Sequence, residues 1–259
     1  EYATKATTQG CIVIDNTSEF RYEQDIPLVV PEVNPQDIDL YKHKNIIANP
    51  NCSTIQMLVA LKPLHETFCV KHINVCTYQA VSGSGKDGVE ELLQQSSAYI
   101  DQRSIDKKVY PKQIAFNSIP FVDCFLENNY TREEMKMVWE THKILDENIS
   151  VNPTAVRVPV LVGHAESIYI ETEKEIDIEL AKNCLNEFAG ISVIDDVQEV
   201  DFPTSFEHGH GTDDVYVGRI RKGLSKNNSL NLWVVADNVR KGAALNSIQI
   251  AENLVGSKM

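Results

Sequence analysis

Apolar positions in this chain repeat with two different periods, and the switches between them mark out the elements. Ala3 and Ala6, followed by Gly10, read as the tail of a helix closed by a glycine cap. The apolar run over residues 11–15 reads as a buried strand, and residues 46–48 as a shorter one. Between them, Pro27, Pro31 and Pro35 make residues 27–35 an extended connection, because proline cannot donate to a central ladder. Ile55, Met57, Leu58 and Leu61 predict a helix over residues 53–65. Alternation over residues 73–79 predicts a strand, Ser82-Gly83-Ser84-Gly85 a turn, and residues 86–100 a helix. Residues 101–130 are irregular. Thr131 with Glu134 three residues on is a capping box that opens a helix running to about Leu145.

In the remaining stretch, residues 156–162 read as a strand that Pro159 places at an edge or bulge. Gly163-His164 breaks it, and alternation resumes over residues 167–172. An amphipathic helix over 175–190 follows. Two strands over 214–221 and 230–235, joined by a turn at Lys226-Asn227-Asn228, precede a final helix over 243–254. Strands interleaved with helices give an α/β fold class.

Composition narrows the picture. At 259 residues and 42% hydrophobic, the chain holds two domains or one large one. A net charge of −13 argues against nucleic acid and anionic membranes as partners, though not against a local cationic pocket. No apolar run approaches membrane-spanning length. Six cysteines without a C-x-x-C pair fit reduced thiols, hence a cytoplasmic protein. The chain opens without methionine, inside a helix that runs at once into a strand, so its beginning is expected to lie upstream.

Candidate chemistry centres on Ala48-Asn49-Pro50-Asn51-Cys52-Ser53-Thr54. An Asn-Pro-Asn turn delivers a cysteine to a helix entrance, where Ser53 and Thr54 suit the orphan amides. The positive end of the helix dipole favours thiolate, so Cys52 reads as a nucleophile; the competing reading is a packing cysteine. Arg21 lies in a polar loop at a strand's carboxyl end, where α/β folds bind ligands, or else forms a surface ion pair. Ser82-Gly83-Ser84-Gly85 can set amides against phosphate or a nicotinamide ring, or be a plain turn. Glu133 and Lys136 share a helix face, as a site pair or a solvated one. Strict alternation puts Arg157 and His164 on opposite faces unless the proline or glycine shifts the register. His164 on its own also fits a satisfied structural histidine. Glu207-His208-Gly209-His210 lacks a second ligand cluster and reads as a loop, so no metal is expected.

Six stretches carry a resemblance. D-N-T-S-E-F-R, V-P-E-V-N-P, N-P-N-C-S-T-I-Q, T-Y-Q-A-V-S-G-S-G, R-V-P-V-L-V-G-H-A-E-S and D-N-V-R-K-G-A-A-L-N follow one another over nearly the whole chain. Together they resemble aspartate-β-semialdehyde dehydrogenase, its bacterial branch in particular. The resemblance implies a remnant of a Rossmann-type parallel-sheet domain plus an α+β catalytic and dimerisation domain with a mixed sheet. Residues 1–50 would be the C-terminal part of the NADP-binding domain and 51–240 the catalytic domain. Residues 241–259 would form a helix returning to the nucleotide domain.

The implied activity is NADP-dependent reductive dephosphorylation of L-4-aspartyl phosphate to L-aspartate 4-semialdehyde, and its reverse, through a cysteine thioester. It would serve biosynthesis of lysine and diaminopimelate, threonine and methionine, in a homodimer or dimer of dimers. By resemblance, Cys52 is the nucleophile, His164 the acid/base, and Gln79 the residue that orients the acyl group. Arg157 grips the substrate carboxylate and Glu133 receives its amino group. Arg21, Lys136 and Asn51 bind phosphate, and Ser82, Gly83 and Asn238 touch the cofactor. The family's G-x-x-G-x-x-G turn is expected before residue 1. The chain as it stands would therefore dimerise and keep a reactive Cys52, but bind NADP weakly and turn over little or not at all. Three competing readings are an N-acetyl-glutamyl-phosphate reductase, whose motif favours glycine where Asn51 stands, a non-catalytic dimerisation fragment, and a cysteine hydrolase.

Overall fold

The computed structural model describes residues 2–256; the first residue of the expected opening helix and residues 257–259 of the expected closing segment lie outside the described residues. After α1 (Tyr2–Thr7), β1 (Val13–Asp15) pairs in parallel with β2 (Ile46–Ala48). The proline-rich connection runs extended beside them, with Leu28 bridging to Ala48. It then coils into a 3-10 helix over Pro35–His43, entered through Pro35, whose fixed φ suits a first helical turn.

The larger unit is a six-stranded mixed sheet. It comprises β3 (Val70–Gln79), β4 (Ser150–Arg157), β5 (His164–Thr172), β6 (Ile191–Val193), β7 (Val215–Lys222) and β8 (Ser229–Ala236), in the order β4-β3-β5-β8-β7-β6. Three helices contact this sheet: α2 (Cys52–Phe68), α4 (Arg132–Ile144) and α5 (Ile178–Glu187). Ile55, Met57, Leu58, Leu61 and Leu64 of α2 are fully buried in the core with Ile73, Val75, Ile168, Leu232 and Val234. Each such side chain contributes about 1.5–3 kcal/mol of transfer free energy, which fixes α2 even though Pro63 interrupts its hydrogen bonding. Between β3 and α4 lies α3 (Gly85–Ile100). After β8 a short π-helical segment over Arg240–Ala244 leads into α6 (Leu245–Gly256), whose Ile250 and Leu254 pack with Val29, Ile38 and Ile47 on the small parallel sheet.

The structure corrects the expected strand over 156–162. It begins earlier, at Ser150, and ends at Arg157; Pro153 is tolerated because β4 is an edge strand. Residues 158–163 turn aside instead, and the N–H groups of Val81 and Ser82 donate to Val160 O and Leu161 O at 2.8 and 3.1 Å. Gly163 makes that turn with φ +91°, pressed so close to Ser205 that a Cβ would lie 2.7 Å from the Ser205 carbonyl oxygen. Arg157 and His164 therefore sit on different strands. Gln79 pairs with Arg157, and Tyr78 with Ala165, so Gln79, Arg157 and His164 all share the sheet's helix-covered face. Among the described residues no helix is long and apolar enough to cross a membrane, and no cluster of His, Cys, Asp and Glu could hold a metal. All six cysteines are free.

Candidate active site

Gln79 closes β3, Arg157 closes β4, His164 opens β5 and Asn238 follows β8, so one end of the sheet gathers four of the candidate residues. The N-termini of α2 and α4 bring Cys52 and Glu133. Cys52 is the first residue of α2. Its helix is capped by Asn51, to whose Oδ1 the N–H groups of Ser53 and Thr54 donate at 3.0 and 3.4 Å; the cap is Asn51 and not the expected Ser53 or Thr54. The π-helical segment passes over the cysteine: a Cβ on Gly242 would lie 2.7 Å from Cys52 Cβ. Sequence reasoning missed Gly242, although a glycine inside D-N-V-R-K-G-A-A is the mark of such a close approach.

Glu133 is the hub. Its Oε1 accepts from Asn51 Nδ2 and Gln79 Nε2, each at 3.0 Å, and its Oε2 from Lys136 Nζ at 3.1 Å. Gln79 Nε2 also reaches Ser53 Oγ at 3.0 Å. Glu134, one residue on, faces away: it completes the capping box with Thr131 and accepts from Ala155 N at 2.9 Å. Lys136 adds Asp123 at 2.8 Å. Burial would lower its ammonium pKa, but the Glu133 and Asp123 carboxylates outweigh that and hold it above the ordinary value.

Arg157 Nη1 donates to Ala80 O at 2.7 Å, and Ala80 N donates to His164 Nδ1 at 3.0 Å, so one residue fixes both side chains. With Nδ1 an acceptor, a neutral His164 carries its proton on Nε2, and that atom is buried without a hydrogen-bond partner. Burial, and then the Arg157 charge, hold the ring pKa well below its usual value, so it is neutral. Gly83 closes the wall beside them. A Cβ there would lie 2.9 Å from Arg157 Nη1 and 3.3 Å from His164 Nε2. Ser82 Oγ donates to Asn238 Oδ1 at 3.0 Å, and Gly163 N reaches the same oxygen at 3.0 Å. Gly83 therefore brings bare backbone against the unpartnered His164 Nε2, a lining that fits the edge of a nicotinamide.

Arg21 is buried. Its Nε donates to Thr17 O at 3.0 Å and its Nη1 to Glu140 Oε1 at 3.0 Å, while Glu140 Oε2 accepts from Asn51 N at 2.8 Å. Asn51, expected as a phosphate donor, thus already spends its backbone N–H on Glu140 and part of its side-chain amide on Glu133. Glu140 was not singled out from the sequence; it lies seven residues after Glu133, on the same helix face.

The thiol overturns one expectation. Burial pushes Cys52 up to about 12, and the Glu133 charge adds to the rise; Arg157, Arg21 and the Ser53 N–H pull the other way without winning. The helix end alone argued for thiolate, but burial of the sulfur and then the neighbouring carboxylate outweigh it, although the residue as a whole is only half-buried.

Residues 61–241 match the semialdehyde dehydrogenase dimerisation domain, and residues 1–41 the NAD-binding domain of semialdehyde dehydrogenases. The aspartate-semialdehyde dehydrogenase of Shewanella violacea is 57% identical over 256 residues, which is 98% of this chain and 75% of that protein. The crystal structure of Vibrio cholerae aspartate semialdehyde dehydrogenase II complexed with ASA superposes with a TM-score of 0.98 at 52% identity, covering 100% of this chain and 76% of that one. The Candida albicans aspartate semialdehyde dehydrogenase with NADP gives 0.72 at 28% identity, over 96% of this chain and 72% of its own.

Proposed function

The chain belongs to the aspartate-semialdehyde dehydrogenase family, and from that premise we propose that its site interconverts L-4-aspartyl phosphate and L-aspartate 4-semialdehyde through a thioester on Cys52. The observation that carries this reading is the convergence of Cys52, Gln79, Glu133, Arg157 and His164 at one end of the sheet. In it, the substrate ammonium pairs with Glu133, and the α-carboxylate takes the guanidinium fork of Arg157, a grip that a lysine could not reproduce. An ammonium at Glu133 neutralises one of the two causes that raise the thiol pKa, so substrate binding itself eases formation of the thiolate. Sulfur then attacks the acyl carbon. The C–S bond forms, the C–O bond to phosphorus breaks, and phosphate leaves with the electron pair and the thiol proton. Arg21 and Lys136 supply the positive charge for that anion inside a protein of net charge −13. The Nε2–H of His164 holds its proton toward the carbonyl oxygen and stabilises the tetrahedral adduct. Ser82, Gly83 and Asn238 would hold the nicotinamide cofactor, which in its reduced form, NADPH, would supply the hydride for the thioester carbon; the C–S bond then breaks, releasing the aldehyde and restoring the Cys52 thiol, and in reverse NADP+ would accept the hydride.

A buried carboxylate at Glu133 favours this substrate over an N-acetylated one, whose amide nitrogen carries no charge to pair with. The hydrolase reading leaves the cations Arg21 and Lys136 and the Gly83 cradle without a role. We further propose that residues 1–50 complete the nucleotide domain, that the enzyme works in the cytoplasm for the lysine, threonine and methionine branches, and that it is a homodimer. The second copy would cover the sheet face opposite α2, α4 and α5, where Tyr78 and Trp233 pack with ring centroids 5.4 Å apart and Cys76 and Tyr169 remain part-exposed. The decisive experiment is Cys52→Ser in the full-length protein: phosphate-dependent reduction of NADP with aspartate semialdehyde should fall below a few per cent, with the circular dichroism unchanged. A serine hydroxyl does not ionise near neutral pH, and an ester is a poorer hydride acceptor than a thioester. Retained turnover in the serine variant would remove Cys52 from the mechanism.

A further inference from the structure

One face of α4 carries Glu133, Lys136, Glu140 and Lys143, at intervals of three, four and three residues, so all four line up along it. The first two enter the reaction proposed above. The last two do not, yet each reaches the Arg21 loop, more than a hundred residues away in sequence. Lys143 Nζ donates to the carbonyls of Arg21, Glu23 and Ile26 at 2.9, 2.7 and 2.8 Å, gathering that loop against the helix. Glu140 is 0% exposed and bridges: Oε1 takes the Arg21 guanidinium, and Oε2 takes the backbone N–H of Asn51, the residue before Cys52. An isolated carboxylate this deep would be costly, and it is retained with a defined donor on each oxygen.

We propose that Glu140 is a positioning residue that ties the phosphate-binding arginine to the nucleophile turn, so that Arg21 and the Asn51-Cys52 peptide are held as one unit. This rests on Arg21 being a phosphate ligand, as argued above. With one oxygen on each partner, Glu140 sets the guanidinium so that its remaining N–H groups face the anion. It also fixes the cap that starts the helix of Cys52. A neutral amide cannot accept on both atoms: Glu140→Gln must give up either the arginine or the Asn51 N–H.

The test is a double-mutant cycle between Glu140→Gln and Arg21→Lys in the intact protein, with two readouts. Steady-state kinetics give separate KM values for phosphate and semialdehyde. Protection of Cys52 from iodoacetamide by inorganic phosphate gives a phosphate Kd without turnover. Glu140→Gln should weaken phosphate about tenfold by both readouts, the order expected for one lost charge-assisted hydrogen bond, and leave the semialdehyde KM within about twofold. In the Arg21→Lys background the same change should cost less than about twofold, because the two residues act through one contact. Full additivity, or equal weakening of phosphate and semialdehyde with a fall in melting temperature, would make Glu140 a merely structural group and overturn the tether. If Arg21→Lys leaves phosphate binding unchanged, the assignment of the phosphate site itself fails, which is a separate result. Should Glu140→Gln not fold, Glu140→Asp, one methylene shorter and still charged, carries the same cycle with the same expected non-additivity.

Discussion

Buried carboxylates flank the helix of Cys52 on two sides, and they differ in how they are satisfied. On the α4 side, Glu133 and Glu140 have partners on both oxygens, drawn from Asn51, Gln79, Lys136 and Arg21. On the sheet side, Glu166 of β5 is fully buried in the core, its oxygens make no hydrogen bond of ordinary geometry, and the side chain of Gln56 of α2 is the nearby polar group that favours its charge. Burial pushes the Glu166 carboxyl well above its ordinary range, with Gln56 opposing and the Glu133 charge adding. So the helix that presents the nucleophile has carboxyls tied to cations and donors on one flank, and on the other an acid that burial pushes toward its uncharged form. Only the first can set charge and geometry at the sulfur. The second is a destabilising element that the surrounding core outweighs.

Among changes at the carboxyls that flank the helix, the largest effect should come from removing the hub. Glu133→Gln keeps the shape but deletes the charge that meets the substrate ammonium, so kcat/KM should fall about 10–100-fold, as for one lost hydrogen bond between charged groups. In the free protein the same change should have the opposite sign on the cysteine. Burial and Glu133 together hold the thiol at about 12, so wild-type alkylation by iodoacetamide should rise about tenfold per pH unit from pH 7 to 10 without a plateau. Glu133→Gln takes away the second cause, lowers the pKa, and makes alkylation faster at every pH in that range. A slower enzyme with a faster cysteine is the expected signature; a cysteine of unchanged reactivity would show that Glu133 does not govern the thiol.

A subtler contrast separates the two arginines. Among the described residues the Arg157 side chain hydrogen-bonds only to the Ala80 carbonyl, whereas Arg21 is bound by Thr17, Asn16 and Glu140. Arg157→Lys should raise KM for the semialdehyde about tenfold and spare phosphate, while Arg21→Lys should do the reverse, since a point charge replaces only part of a planar fork. Equal shifts in both KM values from either variant would merge the two subsites into one.

What the sequence allowed to be read follows the range of the interactions. The capping box of Thr131 and Glu134 is local, and it fixed the register that turns Glu133 inward. The cysteine at a helix entrance was equally legible, but its ionisation was not, because Glu133 and the burial come from 81 residues away and from tertiary packing. β4 was half missed: the pattern placed the strand at residues 156–162, and only an edge position next to β3 brings Asn152 and Pro153 into it. The Arg21–Glu140 contact spans 119 residues and leaves no local trace beyond the seven-residue spacing from Glu133. Those polar residues at helical intervals looked like a solvated face, and they are a buried one.

The smallest expected effect tests the other flank, through stability. Glu166→Gln replaces the acid with an amide of nearly the same volume, and its neighbour Gln56 can donate to it or accept from it in either orientation. The sign follows from linkage. A carboxyl whose folded pKa lies above its unfolded value, about 4.3, favours the fold fully only below that value, and loses this contribution as pH rises toward the folded pKa. The amide does not titrate. The variant should therefore match the wild type near pH 4 and become progressively more stable above it, with an apparent Tm higher at pH 8 by about 2–4 °C for each kcal/mol recovered. Catalysis should change little, because Glu166 touches none of the groups around the sulfur by hydrogen bond. A constant Tm difference between pH 4.5 and 8 would mean that the gain comes from packing and not from the proton. A less stable variant at pH 8 would mean that Glu166 is ionised in the folded protein, and the two flanks of the helix would then be alike.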